Sequence, residues 1–172
     1  IEVRQLVEKE LAQERDFAVQ MMNTLGQGVF VTDQKNQFEY VNPAFAKMLG
    51  RNPDDLLGKT VTSFANQEDV GKLDKGRALR FRGVVSSYEA RFQNSNGDDV
   101  HTLITGAPRY QGENITGAIV ATTDLTEQKL AQAEREMLLS QMKEKNKELE
   151  RSAREMETLQ QSAAIVASTL DQ

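Results

Sequence analysis

Cysteine is absent, which excludes disulfides, thiolate metal sites and a cysteine nucleophile. Histidine occurs once, as His101, and alone it builds neither a histidine metal centre nor a catalytic triad. No apolar run approaches the roughly 18 residues that a membrane span requires, and no signal-peptide pattern opens the chain. Basic residues are too few and too dispersed for a nucleic-acid surface. The 21 Lys and Arg stand against 26 Asp and Glu, for a net charge of -5, and they alternate with Glu rather than cluster. We therefore expect no nucleic-acid partner, no membrane contact from this stretch and a cytoplasmic setting, with which the lack of cysteine is compatible.

What is present is unevenly placed. At 38% hydrophobic and 27% charged, the composition is poor for one globule of 172 residues. Glycine, all three prolines and nine of the ten aromatics fall between Thr24 and Thr126, a span long enough for one ordinary core. Charge gathers at both ends. The reading is a linker helix over residues 1–23, a compact domain over 24–126 and a long helix over 127–172, together resembling a piece of a longer chain.

Within the middle, Gly28 to Asp33 and Gln37 to Val41 read as a strand hairpin around a turn at Gln34 to Asn36. Asn42-Pro43 opens a short helix that Gly50 stops, and Pro53 opens another that Gly58 closes. Phe64, Val70, Leu73 and Leu79 recur at helix-like intervals through Lys59 to Gly83. Three strands follow: Val84 to Gln93, Val100 to Ala107 and Ile115 to Thr123. An Asn96-Gly97 turn suited to positive φ joins the first two, and a loop from Tyr110 to Asn114 joins the last two. This order predicts an α+β fold with a five-stranded antiparallel sheet.

Both flanking helices carry a seven-residue repeat. Val7, Leu11, Ala18, Met21 and Leu25 step by four and three along the first, with Glu14 as polar intruder. That suits a short coiled-coil seam, a helix lying on its own domain, or both along different parts. The second helix runs from Glu127 toward Leu170, about 65 Å. Met142, Leu149, Met156, Ala163 and Leu170 fall at strict sevens. Ala131, Leu138, Leu159 and Val166 fill the complementary row, which Lys145 and Ser152 interrupt. Such a stripe needs a partner helix. The expected seam is Val7, Leu11, Ala18 and Met21 with Leu138, Met142, Leu149, Met156 and Leu159, in a parallel homodimer. Between the last strand and the long helix stand Asp124, Leu125, Thr126 and Glu127. Asp124 with Glu127 fits a capping box, and Thr126 is an alternative cap. Either fixes the helix start to the strand end, which makes these four residues the expected coupling point.

Several motifs recur in an order and spacing that resemble a PAS domain, over roughly Asp16 to Lys129. They are Gly28-Val29-Phe30-Val31-Thr32-Asp33, Phe38-Glu39-Tyr40-Val41-Asn42-Pro43-Ala44-Phe45, Leu57-Gly58-Lys59 and Asn96-Gly97-Asp98. The last runs from Gly117 through Asp124-Leu125-Thr126-Glu127-Gln128-Lys129 and is similar to the family's Asp-Ile-Thr terminus, with Leu125 in the Ile place. The resemblance implies a sensory or relay module, usually dimeric, upstream of a histidine kinase or a cyclic-dinucleotide enzyme. It also implies a space between sheet and short helices that holds haem, flavin, a small metabolite or nothing. Leu159 to Asp171 is similar to the first helix of a GAF domain, which would put a GAF domain, a kinase or both downstream. A plain coiled-coil continuation fits the same residues.

For that space, the resemblance points to Thr102, Ile104, Val120 and Thr122 on the inward face of the last two strands, with Asn42 and Phe45 closing it. Leu103, Ile119 and Ala121 fall on the opposite face by period-two alternation. The same inward side chains would equally fill a core. Flavin photochemistry in this family uses a cysteine, which is absent, and Thr122 occupies the place of its flavin-facing glutamine. Haem-binding members place an axial histidine on the helix before the meander, and Gln67 to Leu79 has none. His101 falls on the opposite face from Thr102. No cofactor is expected, though an unidentified small ligand is compatible with the fold. The acid pairs Asp54-Asp55 and Asp98-Asp99 sit at turns and helix starts, and no residue is assigned a catalytic role. Beside the relay stand two rival readings, a ligand-binding sensor and a static dimerising spacer.

Overall fold

The computed structural model describes residues 2–24 and 26–170; Leu25 of the expected seam and Asp171 of the GAF-like run lie outside the described residues. Helix α1, Glu2–Thr24, is followed by a turn in which Gly26 takes φ 66°, a left-handed conformation that glycine adopts without steric penalty. Strands β1, Gly28–Thr32, and β2, Phe38–Val41, form the first hairpin. Asp33 builds its turn by accepting from Lys35 N and Gln37 N, both at 2.8 Å. The two short helices are α2, Pro43–Met48, and α3, Pro53–Leu56, each with proline in its first turn. Two 3-10 turns, Val61–Phe64 and Gln67–Asp69, lead into α4, Val70–Phe81. Strands β3, Ser86–Gln93, β4, Asp99–Gln111, and β5, Asn114–Asp124, complete the domain, and α5, Thr126–Leu170, follows.

The sheet is five-stranded and antiparallel in the order β2-β1-β5-β4-β3. The first and last strands are therefore neighbours, and Gly28, which opens β1, lies opposite Thr122 near the end of β5. The chain comes into the sheet and leaves it at one end. Strands β4 and β5 pair out to Gln111 opposite Asn114. The expected loop from Tyr110 to Asn114 is instead a tight turn around Gly112, at φ 62°. Arg109, Tyr110 and Gln111 look loop-like because one face of an antiparallel sheet can be solvated, while the backbone ladder continues regardless.

Short helices cover the inner sheet face, and phenylalanine fills the space between. The Phe45 ring centroid lies 4.8 Å from Phe30, 5.8 Å from Phe38 and 5.5 Å from Phe92, spacings at which tilted and edge-to-face pairs attract. On α4 the expected position Leu79 is exposed, whereas Leu73, Gly76 and Arg80 face inward. Gly76 is required there: an added Cβ would come within 2.6 Å of Tyr88 Cζ.

A buried ion pair ties the start of α4 to β3. Asp69, only 2% exposed, accepts from Arg91 Nε at 2.8 Å and Arg91 N at 2.9 Å, and pairs with Lys72 at 2.7 Å. Hydrogen bonding from Arg91 holds the Asp69 carboxyl far below the usual carboxylate range, against the opposing effect of burial, with Lys72 assisting. The same contact, with Glu68 adding to it, raises the Arg91 guanidinium.

Residues Ile1–Glu127 form one compact unit and Gln128–Gln172 a second. Within the second, Leu138, Met142, Leu149, Met156 and Leu159 are exposed, as are Val7, Leu11, Ala18 and Met21 on α1. On α1 the half-buried positions are Ala12, Val19 and Met22 instead. Among the described residues no helix is long and apolar enough to cross a membrane.

Candidate functional site

The end of the sheet where the chain enters and leaves is held by one buried amide. Asn42 is the N-cap of α2, with an extended backbone and its Oδ1 accepting from Phe45 N at 2.9 Å. That same oxygen accepts from Val29 N at 2.9 Å, so it extends the β1 ladder where β2 has ended. Its Nδ2 donates to Gln27 O at 3.0 Å and to Asn23 Oδ1 at 3.3 Å. One side chain thus touches the last turn of α1, the segment leading to β1, β1 itself and α2.

Thr122 completes the same region from β5. Its hydroxyl donates to Gly28 O at 3.1 Å and lies 3.8 Å from Met48 Sδ. Gly28 has no room for a side chain, because an added Cβ would meet Thr122 Oγ1 and come within 3.0 Å of Phe45. Beside this node an open groove of about 520 Å³ is lined by Asn23, Gly26, Pro43, Ala44, Lys47, Met48 and Asp124. The end of the incoming helix, the face of α2 and the last residue of β5 therefore share one surface.

The strand-to-helix junction differs in detail from a capping box. Asp124 Oδ1 accepts from Thr126 N at 2.8 Å, an Asx-type turn two residues long rather than a bond to Glu127. Thr126 Oγ1 accepts from His101 N at 3.0 Å, and Leu125 N donates to His101 O at 2.7 Å. The first residues of α5 are thereby sewn to the backbone of β4, one step past the Thr102–Asp124 pair. Sequence reading placed His101 only on the opposite face from Thr102; its backbone, which carries no residue-type signal, does the holding.

Asn42, Phe45, Thr102, Ile104, Val120 and Thr122 are all buried at 2% exposure or less. Their polar atoms are occupied within the fold: Thr102 Oγ1 donates to Ala90 O at 2.8 Å, and Asn42 and Thr122 bond as described. Leu103 and Ile119 are exposed on the other sheet face, with Ala121 half-buried beside them. The arrangement fixes backbone segments to one another.

The profile of the PAS domain family matches residues 26–127. A curated relative, the C4-dicarboxylate transport sensor protein DctS of Rhodobacter capsulatus, is 28% identical over 132 residues, which is 74% of this chain and 20% of that protein. The chain thus spans about a fifth of the relative's length. Among solved structures, a PAS domain from Colwellia psychrerythraea superposes with a TM-score of 0.59 at 18% identity, covering 68% of this chain and 98% of the other. A PAS domain from a two-component sensor histidine kinase gives 0.53 at 17% identity, covering 66% and 97%. A sensory box histidine kinase/response regulator from Burkholderia thailandensis gives 0.56 at 15% identity, covering 71% and 94%. Those structures share the fold that the hairpin, short helices and three-strand meander build here, and the chain belongs to the PAS domain family.

Proposed function

We propose that this chain is a signal relay: a PAS module that forms a parallel homodimer through α1 and α5 and passes a conformational change to an output domain, in a histidine kinase, with a GAF domain between as the alternative arrangement. The observation that carries the reading is the shared node. Asn42 binds the end of α1, Thr122 binds the start of β1, and His101 binds the start of α5, all at one end of one sheet. A shift in the incoming helix therefore acts on the same few residues that position the outgoing one. The exposed heptad positions on α5, from Leu138 to Leu159, give a second copy an apolar seam to cover. Small helix displacements at such an interface are a usual form of switching. The relative that senses for C4-dicarboxylate transport supports a signalling context. The cytoplasmic setting is part of the same reading, and catalysis belongs to the output domain.

The test uses the parent protein. Asp124→Ala removes the carboxylate that orients Thr126 N, an exposed contact worth about 1 kcal/mol, so melting moves little while kinase output changes severalfold. Equal, small effects on both readouts would favour a passive spacer. Native mass spectrometry of the purified chain reports the subunit number, and a monomer at micromolar concentration in near-physiological salt ends the coiled-coil part of the proposal.

A further inference from the structure

Helix α4 ends in a glycine-closed turn that holds apolar side chains in the open. Gly83 takes φ 81°, its N–H donates to Arg80 O at 2.9 Å, and Val84 N donates to Leu79 O at 3.0 Å. These are the paired bonds of a Schellman motif, which brings Val84 back beside Leu79. Both nevertheless remain exposed, as do Phe81, Val85 and Tyr110, at 37–60%. Tyr110 joins the group from β4, since a Cβ added at Gly83 would lie 3.1 Å from its hydroxyl. Arg77 braces the Phe81 ring: its guanidinium lies 5.3 Å from the ring centroid, and its Nη2 donates to Gln34 O at 2.7 Å.

Positive charge gathers on the same surface. The chain is acidic overall, yet residues 70–82 hold five of its 21 basic residues and one of its 26 acidic ones. Arg80 is buried, Arg77 is bound to Gln34, and Lys72 is paired with Asp69. Lys75 and Arg82 are exposed, and among the described residues no carboxylate pairs with either. Lys75 stands one turn before Leu79 on the same helix face. Exposed apolar side chains flanked by long cations suit an anionic lipid surface, where the apolar groups enter the headgroup layer and the cations reach its phosphates. A partner helix would instead require a groove or anchors at regular helical steps. Here the apolar groups come from a helix end, a loop and a strand, in no common register. A fluid lipid surface is indifferent to register.

We infer that the end of α4, with Val84, Val85 and Tyr110, is a peripheral docking surface for an anionic lipid membrane. This departs from the sequence expectation of no membrane contact, which rested on linear runs, whereas the surface is assembled from parts distant along the chain. Tyr110 lies eight residues along β4 from Thr102, the residue that pairs with Asp124. The surface is therefore about 26 Å from the strand-to-helix junction. The inference goes beyond the relay reading and does not depend on it.

The test sediments the intact chain with vesicles of phosphatidylcholine alone and of phosphatidylcholine with about one-third phosphatidylserine, in near-physiological salt. The chain should bind the anionic vesicles severalfold more tightly than the neutral ones. Lys75→Gln with Arg82→Gln should weaken that binding by about 25-fold, about fivefold for each cation. Lys143→Gln with Lys147→Gln removes the same charge from α5 and should leave binding near the parental value. Val85→Ser should weaken it severalfold through the apolar contact alone. Every substituted position is exposed, so melting temperature should move little. A chain that leaves both vesicle types unbound, equal binding to the two, or equal losses in the two double variants would overturn the assignment. A chain that ignores vesicles but self-associates, and loses that association on Val85→Ser, would overturn it in favour of a second copy at this surface.

Discussion

Replacing Asn42 separates the two jobs that the structure gives one side chain. Asn42→Ala removes the N-cap of α2, worth about 1 kcal/mol, and strips Val29 N of its acceptor, worth about 1–3 kcal/mol at a partly buried amide. Gln27 O and Asn23 also lose their donor. Together these predict a loss of about 2–4 kcal/mol, and about 10–20 °C in melting temperature for a domain near 100 residues. Asn42→Asp keeps both acceptor bonds, to Val29 N and Phe45 N, but turns the donor side into a second oxygen facing Gln27 O and Asn23 Oδ1. At a site 2% exposed the ionised carboxyl faces two acceptor oxygens with nothing to donate, so the loss is about 2 kcal/mol or more and falls on the connection to α1.

Urea denaturation followed by tyrosine fluorescence is the suitable assay, since the 45 residues of α5 dominate far-UV ellipticity. In the parent protein Asn42→Asp should disturb signalling out of proportion to its stability, because it frees the incoming helix while α2 stays capped. An Asn42→Ala variant within about 0.5 kcal/mol of the parent, the range of ordinary surface changes, would refute the node.

Two further outcomes follow from contacts elsewhere in the domain. Gly28→Ala drives a methyl into Thr122 Oγ1 and Phe45 and should cost about 1–3 kcal/mol; adding Thr122→Ala should recover part of it, and a double-mutant cycle with no coupling would reject the close approach. Asp69 has a depressed folded pKa, so its contribution is complete above the unfolded carboxylate's pKa, about 4, and fades as pH falls below that toward the folded value. Asp69→Asn, which leaves Arg91 and Lys72 without their shared partner, should lose about 3 kcal/mol at pH 7, the low end for breaking a buried pair because Arg91 is 26% exposed. Below about pH 4 its stability should flatten relative to the parent's; parallel curves through that range would count against the pair.

How much the sequence discloses depends on whether side chains or backbone do the work. Alternation along Thr102, Leu103 and Ile104 identifies two faces because burial repeats every second residue. Asn42-Pro43 marks a helix start because proline fixes φ and asparagine caps. The extension of β4 and β5 past Ala107 has no such mark, since ladder bonds form between solvated residues too. The bonds from His101 to Leu125 and Thr126 are invisible for the same reason: any residue supplies that N–H and C=O. Arg80 was hidden by a competing rule. A basic residue near a helix end reads as a solvated partner of the helix dipole, and only the glycine at 106, far away in sequence, shows that it turns inward instead.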